Sequence, residues 1–154
     1  MSTHVATIRW QRGDAEFTDG RYSRRHQWRF DGGAMVAASP SPDVVPAPWS
    51  DPAAVDPEEA FVAAIASCHM LWFLSLAAAA GYVVEHYEDA ATGTLARIAP
   101  QRQAITEVVL RPRIAFGAAH APDADRLAAL HAAAHERCFI ANSVKTAIRV
   151  ETPA

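Results

Sequence analysis

The chain has 154 residues, 51% hydrophobic and 20% charged, a balance that suits one soluble domain, 1–154, with a sizeable core. A formal charge of −3, with Lys145 as the sole lysine, gives no electrostatic reason to expect nucleic acid or an anionic membrane and points to a small-molecule partner. The opening Met1-Ser2-Thr3-His4-Val5-Ala6 lacks the basic start, apolar stretch and cleavage site of a secretory signal, so a cytoplasmic location is expected, with the two cysteines, Cys68 and Cys138, reduced at rest.

The N-terminal part reads as strands. His4 to Trp10 alternates loosely, Gly13-Asp14 punctuates, and Arg21 to Phe30 alternates again. Period two places Arg21, Ser23, Arg25, Gln27 and Arg29 on one face of the latter, and Tyr22, Arg24, His26, Trp28 and Phe30 on the other. Residues 31–55 hold Gly32, Gly33, Pro40, Pro42, Pro46, Pro48 and Pro52, which predicts a long irregular loop.

A helix then starts at Asp56-Pro57. Asp56 is the cap, Pro57 fits the first helical position, Glu59 completes a capping box, and Gly81 ends the run. No charged residue occurs from Ala60 to Ala80, enough length to cross a bilayer. Ser67, His69 and Ser75 lie inside it, however, and the flanks carry Glu58, Glu59 and Glu85 rather than orienting basic residues, so a protein-buried helix is expected. Being apolar on every side, it must be surrounded by a sheet or a second subunit.

Tyr82 to Ile98 reads as strand with a break near Gly93, Pro100 to Gln103 as a turn, and Ile105 to Phe116 as the returning strand of a hairpin. Asp123 or Asp125 caps a second helix through Leu127, Leu130, Ala134 and Arg137, and a final strand lies near Ala147 to Glu151. The order strands, helix, strands, helix, strand defines an α+β fold, with helices packed against mainly antiparallel sheets.

The chemistry centres on the two sulfurs. A cysteine is a nucleophile only as thiolate, which a nearby cation favours and apolar surroundings disfavour. Cys68 sits in mid-helix among Phe61, Ile65, Leu71 and Trp72, so by itself it would be an inert core thiol. Arg29 is a candidate cation, and Glu58 a candidate carboxylate to orient it. Glu58 lies ten positions before Cys68 on one helix, about 15 Å along the axis. A Glu58 that serves the Cys68 site must therefore come from a second copy of the chain; otherwise it only favours its own helix N-terminus. Cys138 admits two roles. It can resolve a sulfenic acid formed on Cys68, or it can join His131 and His135, at i, i+4 and i+7, in a zinc site.

Two spaced motifs carry a resemblance. Pro57-Glu58-Glu59 is followed by Cys68 in an alanine-rich helix, and Ala134-His135-Glu136-Arg137-Cys138 precedes Phe139-Ile140-Ala141-Asn142-Ser143. With Arg29-Phe30 before the helix, the chain resembles the OsmC/Ohr family of thiol-dependent peroxidases from about Arg21 to Val150. The resemblance implies that Cys68 is the peroxidatic thiol, Cys138 the resolving thiol, Arg29 the thiolate-stabilising cation and Glu58 its orienting carboxylate. It implies an intertwined homodimer with two long central helices wrapped by sheets, and active sites shared between protomers. It also implies peroxide as substrate, a dithiol reductant, often lipoyl-type, and no metal, haem or flavin. Three departures stand out. Phe139 occupies a position usually held by proline, the 31–55 loop is longer than in the best-known peroxidase members, and His69-Met70-Leu71-Trp72-Phe73 is bulkier than usual. A non-enzymatic protein binding a small apolar ligand on the same fold is the open alternative.

Overall fold

The arginine-rich alternation near the N-terminus builds a small sheet in a computed structural model that describes residues 1–117 and 120–151. Strands β1 (Ala6–Arg9), β2 (His26–Phe30) and β3 (Met35–Ala38) pair antiparallel in the order β1-β2-β3. The expected face assignment holds from Tyr22 to Arg29, where even-numbered residues are half-buried and odd-numbered ones exposed. The ladder itself starts only at His26. Before it, Tyr22 is engaged by the Arg24 guanidinium at 3.9 Å and by Phe17 at 4.6 Å, contacts that belong to a loop.

The 31–55 segment is not irregular throughout, because Met35–Ala38 forms β3. Gly33, at φ 88°, makes the tight return from β2 that the sequence suggested only as a loop. The remainder is tied down locally. Asp51 N–H donates to the Ser39 hydroxyl at 2.8 Å, the Asp51 carboxylate pairs with Arg25 at 3.2 Å, and Val55 bridges to Ala38.

Helix α1 spans Pro57–Ala79 and begins with the capping box: Glu59 N–H donates to Asp56 Oδ1 at 2.7 Å and Asp56 N–H to Glu59 Oε2 at 3.1 Å. Gly81, at φ 82°, follows its end, where Tyr82 N–H reaches back to Ala77 O. The expected hairpin forms from β5 (Thr92–Ala99) and β6 (Arg102–Leu110), with Gln101 at φ 58° in the turn. Strand β4 (Val84–Asp89) ends ahead of Gly93 and pairs instead with β7 (Pro112–Phe116). Helix α2 (Ala124–Arg137) is capped by Asp123, which accepts from Arg126 N–H at 2.8 Å. Strand β8 (Ala147–Val150) joins β6 in parallel, the one parallel strand pair among the described residues.

The chain divides into two compact units, 1–60 and 61–154, with the divide inside α1. The hydrophobic core lies in the second. Phe73 and Ala77 of α1 pack with Leu130 and Ala134 of α2, while Ile65 packs with Val108 and Leu110 of β6. Thus α1 buries one stripe, Ile65, His69, Phe73 and Ala77, spaced every fourth residue. Only 22% of its most apolar 18-residue window is buried within the chain, so a single copy does not complete the surround, by a sheet or a second subunit, that the sequence predicts.

Candidate functional site

Cys68 stands one position before His69 of the buried stripe of α1 and is half-buried. Cys138 is the first residue beyond α2. Its backbone leaves the helix at φ −65° and ψ 113°, and its side chain is 1% exposed. A short 3-10 turn, Ala141–Ser143, follows, and Ala141 N–H donates to Cys138 Sγ at 3.3 Å. The two cysteines, seventy positions apart in sequence (68 and 138), are thereby adjacent in the fold, both as free thiols. Burial pushes the Cys138 thiol pKa up, the neighbouring Cys68 thiol raises it further, and the Ala141 N–H only partly opposes this. Cys138 accordingly keeps its proton at neutral pH.

A second polar pair lies beside the first. His69 Nε2 and His131 Nδ1 are 3.0 Å apart with their rings nearly parallel, 5.3 Å between centroids, and Phe73 stacks on His131 at 4.5 Å. Desolvation lowers both imidazole pKa values to about 4, so both are neutral and one donates to the other. The outer nitrogen of His131, Nε2, is buried and has no hydrogen-bond partner among the described residues. This pairing escaped the sequence reading. Its signal was a histidine in the most apolar stripe of α1, spaced four from Ile65 and Phe73.

The same pairing disposes of the zinc arrangement. His131 turns to His69, His135 is exposed and Cys138 is buried, so the helical spacing does not become a ligand set. Among the described residues no group of three or more His, Cys, Asp or Glu side chains is placed to hold a metal ion.

Around the thiols the wall is aromatic. Trp72, one turn after Cys68, meets Phe139 edge to face at 5.6 Å, and the Arg137 guanidinium lies 5.9 Å from the Trp72 ring. Arg29 and Glu58 belong to the first compact unit, Cys68 and Cys138 to the second. Arg29 lines a hollow of about 340 Å³ on the exposed sheet face, together with Thr7, Arg9, Gln27 and Asp31. Glu58 is half-buried in the first turn of α1, which runs as continuous helix to Cys68 and beyond. Among the described residues neither Arg29 nor Glu58 takes part in an ion pair within the chain.

Comparison with known proteins places these features in a wider group. The OsmC-like protein family matches residues 50–153. An OsmC-like protein of unknown function from Vibrio cholerae is 52% identical, with a TM-score of 0.96 over 99% of this chain and 100% of its own. An organic hydroperoxide resistance protein from Legionella pneumophila shares the fold at 16% identity and a TM-score of 0.74, over 100% of this chain and 98% of its own. Another, from Elizabethkingia anophelis, does so at 17% and 0.72, over 99% and 94%. A search of curated proteins gives no significant match.

Proposed function

Since the chain belongs to the OsmC-like family, we propose that it is a cytoplasmic thiol-dependent peroxidase that reduces organic hydroperoxides or hydrogen peroxide. The observation that supports this reading is the adjacency of Cys68 and Cys138 as two free thiols, one half-buried and one enclosed. The family's hydroperoxide resistance proteins share the fold.

In the proposed cycle the Cys68 thiolate attacks the outer oxygen of the peroxide. The O–O bond breaks, the alkoxide leaves and is protonated to the alcohol, and Cys68 becomes a sulfenic acid. Cys138 Sγ then attacks Cys68 Sγ. The S–O bond breaks, and the departing hydroxide takes the Cys138 proton to leave as water. The raised pKa of Cys138 suits this second role, because a thiol that keeps its proton does not compete for peroxide. An external dithiol, of lipoyl type, exchanges with the Cys68–Cys138 disulfide and restores both thiols.

Arg29 is assigned to hold the thiolate and polarise the peroxide, and Glu58 of a second copy to orient Arg29. A homodimer is part of this reading. It is supported by the wide apolar surface that α1 leaves uncovered, including Leu71 at 60% exposure, and by β1, whose four residues are exposed on both faces.

The test is intact mass after one equivalent of organic hydroperoxide on the reduced protein. A loss of two hydrogens per chain, absent in Cys68→Ser, is the expected result. A wild-type chain that keeps both thiols overturns the peroxidase and leaves a ligand-binding protein on this fold.

A further inference from the structure

Cys138 ends α2 in an extended conformation, φ −65° and ψ 113°. The residue that follows is Phe139, so no proline ring fixes that geometry here. The buried Cys138 side chain and Ile140, which packs against the Ile65, Val108 and Leu110 cluster, hold the turn to the core, and Phe139 adds a separate contact. Phe139 is 70% exposed, so general burial does not fix it. Its one aromatic contact among the described residues is Trp72, edge to face at 5.6 Å.

That contact sits in a telling place. Trp72 is one helical turn after Cys68, and Phe139 directly follows Cys138, so the ring pair joins the two thiol-bearing elements next to the thiols themselves. Arg137, the last residue of α2, extends its guanidinium toward the Trp72 ring. Behind the turn, Asn142 Nδ2 donates to Glu136 O at 2.9 Å and to Cys138 O at 3.0 Å, which shapes the turn but does not attach it to α1.

We propose that Phe139 and Trp72 form a clip that seats Cys138 against Cys68 and so sets how fast a Cys68 sulfenic acid is resolved. Phe139 is a positioning residue in this role and touches no reacting atom. The inference deepens the peroxidase reading and rests on it for the sulfenic step. It has a second consequence that needs no peroxide. By holding the dithiol near its disulfide geometry, the clip raises the effective concentration of one thiol at the other.

Two fates compete for the sulfenic acid. Cys138 closes the disulfide and water leaves, or a second hydroperoxide oxidises the sulfenate to sulfinate and leaves as alcohol. An edge-to-face pair contributes enough to change the seated population about two- to tenfold. Phe139→Ala and Phe139→Leu slow resolution by that factor, whereas Phe139→Tyr, which keeps the ring, behaves as wild type.

The experiment has two arms, each on the reduced full-length protein. In the first, tert-butyl hydroperoxide is raised from one to fifty equivalents and intact mass separates disulfide, a loss of two mass units, from sulfinic acid, a gain of thirty-two. The alanine and leucine variants are expected to shift to sulfinic acid at about two- to tenfold less peroxide. In the second, a glutathione redox buffer titrates the reaction of the dithiol with glutathione disulfide to protein disulfide and two glutathione. There the same variants need an about two- to tenfold more oxidising ratio. A wild-type chain inert to peroxide removes the peroxidase reading while the second arm still tests the clip. Alanine and leucine variants matching wild type in the glutathione arm overturn the clip, whatever the peroxide arm gives, and a tyrosine variant as impaired as alanine does so too. Far-UV circular dichroism of each variant separates a lost contact from a lost fold, and the leucine variant carries the test if alanine does not fold.

Discussion

Acid should unfold this protein through two imidazoles that have no part in the proposed thiol chemistry. His69 and His131 are 1% and 4% exposed, bonded to each other, and lowered to about 4 from an ordinary value of 6.5. The unfolded chain takes up protons at both sites as pH falls through 6.5, and the folded chain resists until about pH 4. The neutral pair is therefore fully stabilising above pH 6.5. That contribution falls progressively between 6.5 and 4 and changes no further below. From pH 8 to pH 5 the loss is about 2 kcal/mol for one imidazole, and about 4 kcal/mol for two acting independently. Because protonating one disrupts the bond to the other, the expected figure for the pair lies between those bounds. Urea unfolding at pH 8, 7, 6 and 5, at one protomer concentration, reads it directly. The comparison is His69→Gln with His131→Gln, whose amides do not titrate. The double variant should be less stable at pH 8 but lose about 2 to 4 kcal/mol less than wild type on going to pH 5. Parallel pH profiles would refute the reasoning. If the double variant does not fold, His131→Gln alone should flatten the profile by about half as much.

Three further outcomes follow from single positions. A Cβ on Gly93 would lie 2.6 Å from Val62 Cγ2 and 3.3 Å from Ile105 Cγ2, both on stiff β-branched side chains, so Gly93→Ala should lower stability by about 1–3 kcal/mol in denaturant titration. Asp123→Ala removes the acceptor for Arg126 N–H at the start of α2 and should cost about 1 kcal/mol, while Asp123→Ser should restore most of it. Sedimentation velocity should give the wild type twice the 16.6 kDa chain mass, and Leu71→Glu, which puts a charge on the uncovered face of α1, should shift it toward one chain. A wild-type monomer at micromolar concentration would remove the shared-site arrangement.

The readable parts of this fold are those written in short-range chemistry. Asp56, Pro57 and Glu59 announce the start of α1, and Asp123 announces α2, because a cap needs only residues three apart. The exposed set Arg21, Ser23, Arg25, Gln27 and Arg29 was legible because side-chain alternation needs only an extended backbone. Strand β3 was hidden because its four residues, Met35–Ala38, sit between glycines and prolines, and their strand character comes from pairing with β2. The stretch Tyr82–Phe116, read as two strands with a break near Gly93 in the first, forms four for a related reason. Gly93 breaks nothing and lies within β5, where its missing side chain admits Val62. The break falls earlier, between Asp89 and Thr92, where the chain passes from one sheet to another.

The thiol site divides along the same line. The motifs single out Cys68 and Cys138 but not their surroundings, since the contacts of α1 come from α2 and the turn that follows it. His69 reaches His131 and Trp72 reaches Phe139, two contacts flanking the thiol pair on the same two elements. Both are departures from an ordinary core. One places a hydrogen bond in an apolar stripe, and the other leaves an aromatic ring 70% exposed. Neither maximises stability: the first makes α1 and α2 acid-sensitive, and the second buries little area. What both contribute is fixed direction, an oriented hydrogen bond on one side and an edge-to-face ring pair on the other. In the proposed cycle the two sulfurs must be close enough to join yet stay apart until one is oxidised, and for that direction matters more than burial.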